Sequence, residues 1–96
     1  QYFKEDNIEA SIFHYNLAKA YSDKKDYVKA IENFKLSVNL DANNLKAQRE
    51  LGLLYAQTGK FADSIRIFKQ YLKVSNNPKE KEVIEQYISK MEKALM

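Results

Sequence analysis

His14 is the one histidine and the side chain best suited to proton transfer near neutral pH. No serine or cysteine motif accompanies it, and it falls in a packing slot of an amphipathic stretch, so neither catalysis nor ligation is expected of it. Glu80, Glu82 and Glu85 gather carboxylates of the kind that hold a cation. They lack the glycine and ligand spacing of a calcium loop, and they alternate with Lys79 and Lys81, the pattern of a solvated helix face. The chain has no cysteine, which removes thiolate metal sites and disulfides, and a lone histidine excludes multi-histidine sites. Gly52 and Gly59 are the only glycines, too few for a phosphate-cradling loop. No catalytic residue, no metal and no cofactor is expected, and the chain reads as a non-enzyme.

Composition narrows the class further. Ninety-six residues make one small domain with a modest core. The net charge is +3, and the cations, all lysine except Arg49 and Arg66, are interspersed with acids. That balance gives no polyanion-binding face. The seven tyrosines and five phenylalanines resemble a base-stacking set in number, but most fall on helix-core positions, so nucleic acid is not an expected partner. No apolar run approaches the roughly 20 residues of a membrane span, and no signal-peptide pattern is present. The compartment stays open. The chain starts at Gln1 without a methionine, which points to an excised or processed piece.

Periodicity sets the elements. A first helix is expected from about residue 7 to Ser22, with Asp6 and Glu9 as a capping box, or Asn7 as the neighbouring alternative cap, and Ile8, Ile12, Leu17, Ala18, Ala20 and Tyr21 near the 3.6 period. A second, from about Tyr27 to Leu40, buries Tyr27, Ala30, Ile31, Phe34 and Val38. A third, about 45–58, carries Leu51, Gly52, Leu54 and Tyr55 and stops at Gly59, which accepts the left-handed backbone without a Cβ clash. A fourth, about 61–74, carries Phe61, Ile65, Phe68 and Leu72. The last runs from about 78 to 95, with Asn77 as cap, Pro78 at the first position and Glu80 completing the box.

These helices repeat. Leu17-Ala18-x-x-Tyr21 returns as Leu51-Gly52-x-x-Tyr55, and Ala30-Ile31-x-x-Phe34 returns as Ser64-Ile65-x-x-Phe68, each 34 positions later. A fixed period of that length is one supersecondary unit stacked on itself. Small residues at 18, 30, 52 and 64 let antiparallel helices approach, and the large neighbours fill the space alongside.

The pattern resembles the tetratricopeptide repeat (TPR) family, a 34-residue helix-turn-helix with Leu-Gly/Ala-x-x-Tyr in its first helix and Ala-x-x-x-Phe in its second. The resemblance implies an all-α TPR solenoid in a single domain: repeat 1 over about 11–44, repeat 2 over about 45–78, and a C-terminal capping helix over about 78–95. There are departures. The early tryptophan slot holds His14 and Gln48, the late alanine slot holds Ser37 and the bulky Tyr71, and the turn proline is Ala42. After a two-residue insertion the last helix follows the same scheme, with Ile84, Tyr87, Ile88 and Met91 on its buried positions.

In the family the first helices of successive repeats line a concave groove that holds a peptide. Carried over by position, the partner-binding residues are Ile12, Tyr15, Asn16, Lys19 and Asp23 from the first helix, and Lys46, Arg49, Glu50, Leu53 and Gln57 from the third. Glu82, Gln86 and Ser89 reach the edge. A segment with an apolar side chain and a nearby acid suits this mixture of apolar anchors and cations, and tyrosine and arginine are frequent hot spots. The two-carboxylate clamp of chaperone-binding members does not fit. Its positions hold Tyr15, Lys19, Glu50, Glu82 and Gln86, and the alternative frame puts Glu50 where arginine belongs. The expected function is a protein-interaction module that takes a protein or peptide ligand. The alternative is a self-assembling unit that pairs through Tyr2, Phe3 and Tyr71.

Overall fold

The computed structural model describes residues 4–96. Its elements are α1 (Lys4–Asp23), α2 (Tyr27–Leu40), α3 (Leu45–Gln57), α4 (Phe61–Val74) and α5 (Pro78–Ala94), with no strand among the described residues. The chain separates into two compact units, Gln1–Ala47 and Gln48–Met96.

In the first unit α1 and α2 pack as a hairpin around Ala18, Ala30 and Phe34, all fully buried. Two small polar residues share that core. Ser11 Oγ donates to the Ser37 carbonyl at 2.7 Å, and Ser37 Oγ donates to the Ser11 carbonyl at 2.7 Å. Asn44 Nδ2 donates to both hydroxyls, at 2.9 and 3.2 Å, while its Oδ1 accepts from Ala47 N and so caps α3. Every polar group brought into this joint therefore finds a partner, which avoids the desolvation cost of leaving one unmade. His14 Nδ1 meets Asn33 Oδ1 at 2.9 Å, and Asn33 Nδ2 donates to the Lys29 carbonyl at 2.9 Å, so the histidine ties α1 to α2. Asp26 caps α2, its carboxylate accepting from Lys29 N.

In the second unit the floor of the α3–α4 hairpin is steric. Gly52 lies against the buried Phe68 ring: a Cβ there would fall 2.6 and 2.7 Å from ring atoms Cδ1 and Cζ. Ser64 Oγ donates to the Gly52 carbonyl at 2.6 Å and adds a polar tie at the same crossing. Leu51, Leu54, Tyr55, Ile65 and Ile67 complete the core, and α5 contributes Ile84, Ile88 and Met91. The two interhelix turns are built alike. Asp26 N donates to the Tyr21 carbonyl and Lys60 N to the Tyr55 carbonyl, at 2.9 and 2.8 Å. Both turns pass through a left-handed residue just before: Gly59 at φ 81°, as expected, and Lys25 at φ 64°.

Several expectations need correction. The structure has α1 already formed at Lys4, so Asp6 lies inside its first turn and the Asp6/Glu9 box does not start the helix. Ile8 and Ala20, counted with the apolar period, are exposed, and so is Ile12, which is also expected to face a partner; the fully buried polar pair of this joint is Ser11 and Ser37. Tyr27, Ile31 and Val38 are only half-buried. Tyr71, the bulky occupant of an alanine slot, is fitted into the core at 3% exposure. It therefore offers no surface for self-pairing, and Tyr2 and Phe3 lie outside the described residues.

Candidate partner-binding site

In the second unit, α3 and α5 border an open cleft with two halves that meet at Leu53 and Tyr87. In the first half, of about 340 Å³, α3 contributes Arg49, Glu50 and Leu53, and α5 contributes Lys79, Glu80, Val83, Ile84 and Tyr87. In the second half the lining adds Ala56 and Gln57 from α3, Phe68 from α4, and Lys90 and Met91 from α5. The rotation of α5 follows from its buried stripe. Ile84, Ile88 and Met91 seat the helix, and the neighbouring stripe Lys79, Val83, Tyr87, Lys90 then faces the cleft, with spacings of four, four and three. Tyr87 is 41% exposed, yet it stacks on Phe68 with ring centroids 6.1 Å apart and planes 25° apart. That contact holds the phenol at the waist of the cleft.

The rim is an ordered charge network. Arg49 Nη1 lies 3.6 Å from Glu80 Oε1, and its Nη2 lies 4.0 Å from Glu50 Oε2. The Tyr71 hydroxyl donates to Glu80 Oε1, and Asn77 Nδ2 donates to Glu80 Oε2 at 3.1 Å. Asn77 Oδ1 in turn accepts from the backbone N–H groups of Lys79 and Glu80, so the cap of α5 and the rim carboxylate hold one another. Burial first, and then the hydrogen bond to Glu80, push the Tyr71 phenol above its ordinary pKa, with Ser75 and Arg49 opposing. Burial likewise raises Tyr55, helped by Asp63 and opposed by Arg66.

Four expected partner-binding residues lie in this unit and all four line the cleft: Arg49, Glu50 and Leu53 in one half, Leu53 and Gln57 in the other. Arg49 is not an idle cation, because its guanidinium already faces two carboxylates. Glu82, Gln86 and Ser89 do not line the cleft. Lys79, Glu80, Val83 and Tyr87 take that place, and Tyr87 is not the buried residue the repeat frame implies. The remaining expected residues belong to the first unit. Ile12, Asn16, Lys19 and Asp23 are exposed on α1, and Lys46 is exposed at the start of α3. Tyr15 is half-buried with its ring 5.9 Å from that of Phe34, so part of its surface already serves the hairpin. No cluster of potential metal ligands occurs among the described residues, and none of their helices is long and apolar enough to cross a membrane.

Two hairpins with matching turns, buried small residues at the crossings and a 34-residue period define a repeat. The family described as YpiA-like, C-terminal tetratricopeptide repeats matches residues 12–80. The chain belongs to the tetratricopeptide repeat family. TPR chains are in general interaction folds rather than enzymes, and they bind proteins or peptides. Here the family assignment covers α2, α3 and α4 entirely and most of α1, and stops at the first turn of α5.

Proposed function

We propose that this TPR chain is a non-catalytic docking module, a single domain of two repeats plus a capping helix, that holds a segment of a partner protein in the α3–α5 cleft. One observation carries the reading. Leu53, Val83 and Tyr87 are large, substantially exposed and gathered in one concavity, beside a charged rim. Apolar floors with a polar rim are how interfaces combine desolvation with orientation. Leu53 and Tyr87 are the anchors, while Arg49, Glu50 and Gln57 shape the rim. In the first unit, Ile12, Tyr15, Asn16, Lys19, Asp23 and Lys46 are proposed as that unit's own partner-facing residues.

The test is capture of partners from the source organism's lysate by the wild-type chain and by Leu53→Glu, with helicity checked by circular dichroism. Loss of a captured protein by the folded variant supports the cleft. Retention of the same protein by both places the contact elsewhere and overturns the reading. Self-assembly is the second reading, and exposed Phe13 and Val28, 62% and 72% exposed, favour it. A dimer that persists across micromolar concentrations in sedimentation equilibrium, and is dissolved by Phe13→Glu, would establish it.

A further inference from the structure

The charges along the cleft are not equivalent. Glu50 and Glu80 both face Arg49, and Glu80 also accepts from Tyr71 and Asn77, so the negative charge in the lining is already shared with donors. Lys79 and Lys90 are exposed lining residues at opposite ends, and neither forms an ion pair among the described residues. Glu82, one turn from Lys79, makes no ion pair with it. Arg49, Lys79 and Lys90 outnumber Glu50 and Glu80 by one, and the lining charges outside that shared cluster are the two ammonium groups. Between them the floor is apolar on both sides of the Leu53–Tyr87 waist.

We infer that the occupant of the cleft is an extended peptide segment with two apolar side chains, one for each half, bracketed by carboxylates that meet Lys79 and Lys90. The inference rests on the docking function proposed above and names its ligand. The spacing follows from α5 itself. Positions 79 and 90 are about 16 Å apart along a helix at 1.5 Å per residue. An extended chain covers that distance in about five residues at 3.3 Å each. The acids therefore stand about five positions apart with the apolar pair between them. An acid aimed at Arg49 is not part of the pattern, because that guanidinium already faces the carboxylates of Glu50 and Glu80.

The probes are three fluorescein-labelled peptides of about ten residues, each with two leucines in a Gly/Ser background. Their flanks, about five positions apart, are aspartate, serine or lysine. Binding to the full chain is read by fluorescence anisotropy. Two exposed ion pairs give the aspartate peptide about tenfold tighter binding than the serine one, and added salt narrows the gap. The double variant Lys79→Glu/Lys90→Glu reverses the order and favours the lysine peptide. Equal affinity whatever the flanks, with binding still lost in Leu53→Glu, overturns the acidic pattern and leaves the cleft as a peptide site. No binding by any peptide, or binding that survives Leu53→Glu, removes both. A chain dimer dissolved by Leu53→Glu would make a second copy the occupant and overturn the inference as well.

Discussion

The first hairpin and the second solve one packing problem in different chemistry. Where α1 crosses α2, Ser11, Ser37 and Asn44 close a buried hydrogen-bond network. Where α3 crosses α4, the slot of Ser37 holds Tyr71, and the slot of Ala18 holds Gly52 pressed on a phenylalanine ring. The turns differ in the same way. The first hairpin forces Lys25 into the left-handed region and caps α2 with Asp26, whereas the second relaxes the turn with Gly59 and leaves α4 without a side-chain cap. A repeat therefore specifies backbone path and helix spacing, and each copy satisfies its interior by polar or steric means. The second hairpin uses its enlarged slot for something more: Tyr71 reaches Glu80 and fixes the rim of the cleft.

The largest break in this comparison is expected from removing residues 79–96. That strips Ile84, Ile88 and Met91 from the second unit and takes Glu80 from Tyr71, a loss of about 5 kcal/mol or more. An unchanged melting temperature would show that the second hairpin does not depend on α5. Next comes Gly52→Ala. Alanine adds about 1 kcal/mol of helix propensity, but its methyl group collides with the buried Phe68 ring, and overpacking of this kind outweighs the gain, for a net loss of about 1–2 kcal/mol in urea unfolding. A neutral or stabilised variant would mean that the ring moves aside freely.

Ser37→Ala is the matching lesion in the first hairpin. It removes the bond to the Ser11 carbonyl and one acceptor of Asn44, for about 1–2 kcal/mol. If stability does not change, the serine network is incidental to the joint. Tyr71→Phe costs about 1 kcal/mol near neutrality and should also blunt the alkaline loss of stability. The folded phenol binds its proton more tightly than the unfolded one. Its stabilising contribution is therefore complete below about pH 10, where a free tyrosine ionises, and is lost as pH rises through the folded value. Wild type and variant melting profiles that stay parallel from pH 8 upward would contradict that linkage. The smallest effect is expected from Lys25→Gly, which relieves a left-handed residue bearing a Cβ and should raise stability by about 0.5 kcal/mol, net of the added freedom of the unfolded chain. A decrease would show that the Lys25 side chain contributes more than its backbone costs.

Helix boundaries were legible because aromatic and small residues recur at one period: α2 spans Tyr27–Leu40 and α4 spans Phe61–Val74 as expected. The polar joint was legible only in part: the repeat frame put Ser37 in an alanine slot, whereas hydrophobic periodicity gives no place in the core to Ser11, and both are fully buried. On the α3 side of the cleft, Arg49, Glu50, Leu53 and Gln57 were readable by position in the repeat. On the α5 side the repeat frame, carried across the two-residue insertion, pointed to Glu82, Gln86 and Ser89. The signal that finds the observed face is local: Lys79, Val83, Tyr87 and Lys90 share one stripe beside the buried Ile84, Ile88 and Met91. The pairing of Arg49 with Glu80 was not legible, because the two lie on different helices, 31 positions apart in the chain.

The most direct test of the account is a ¹⁵N–¹H correlation spectrum of the full chain, recorded as the aspartate-flanked two-leucine peptide is added. Docking in the cleft predicts shifts clustered on α3 from Arg49 to Gln57 and on α5 from Lys79 to Met91, with α2 unaffected. Shifts confined to α1 and α2, or to the outer residues Glu82, Gln86 and Ser89, would contradict it.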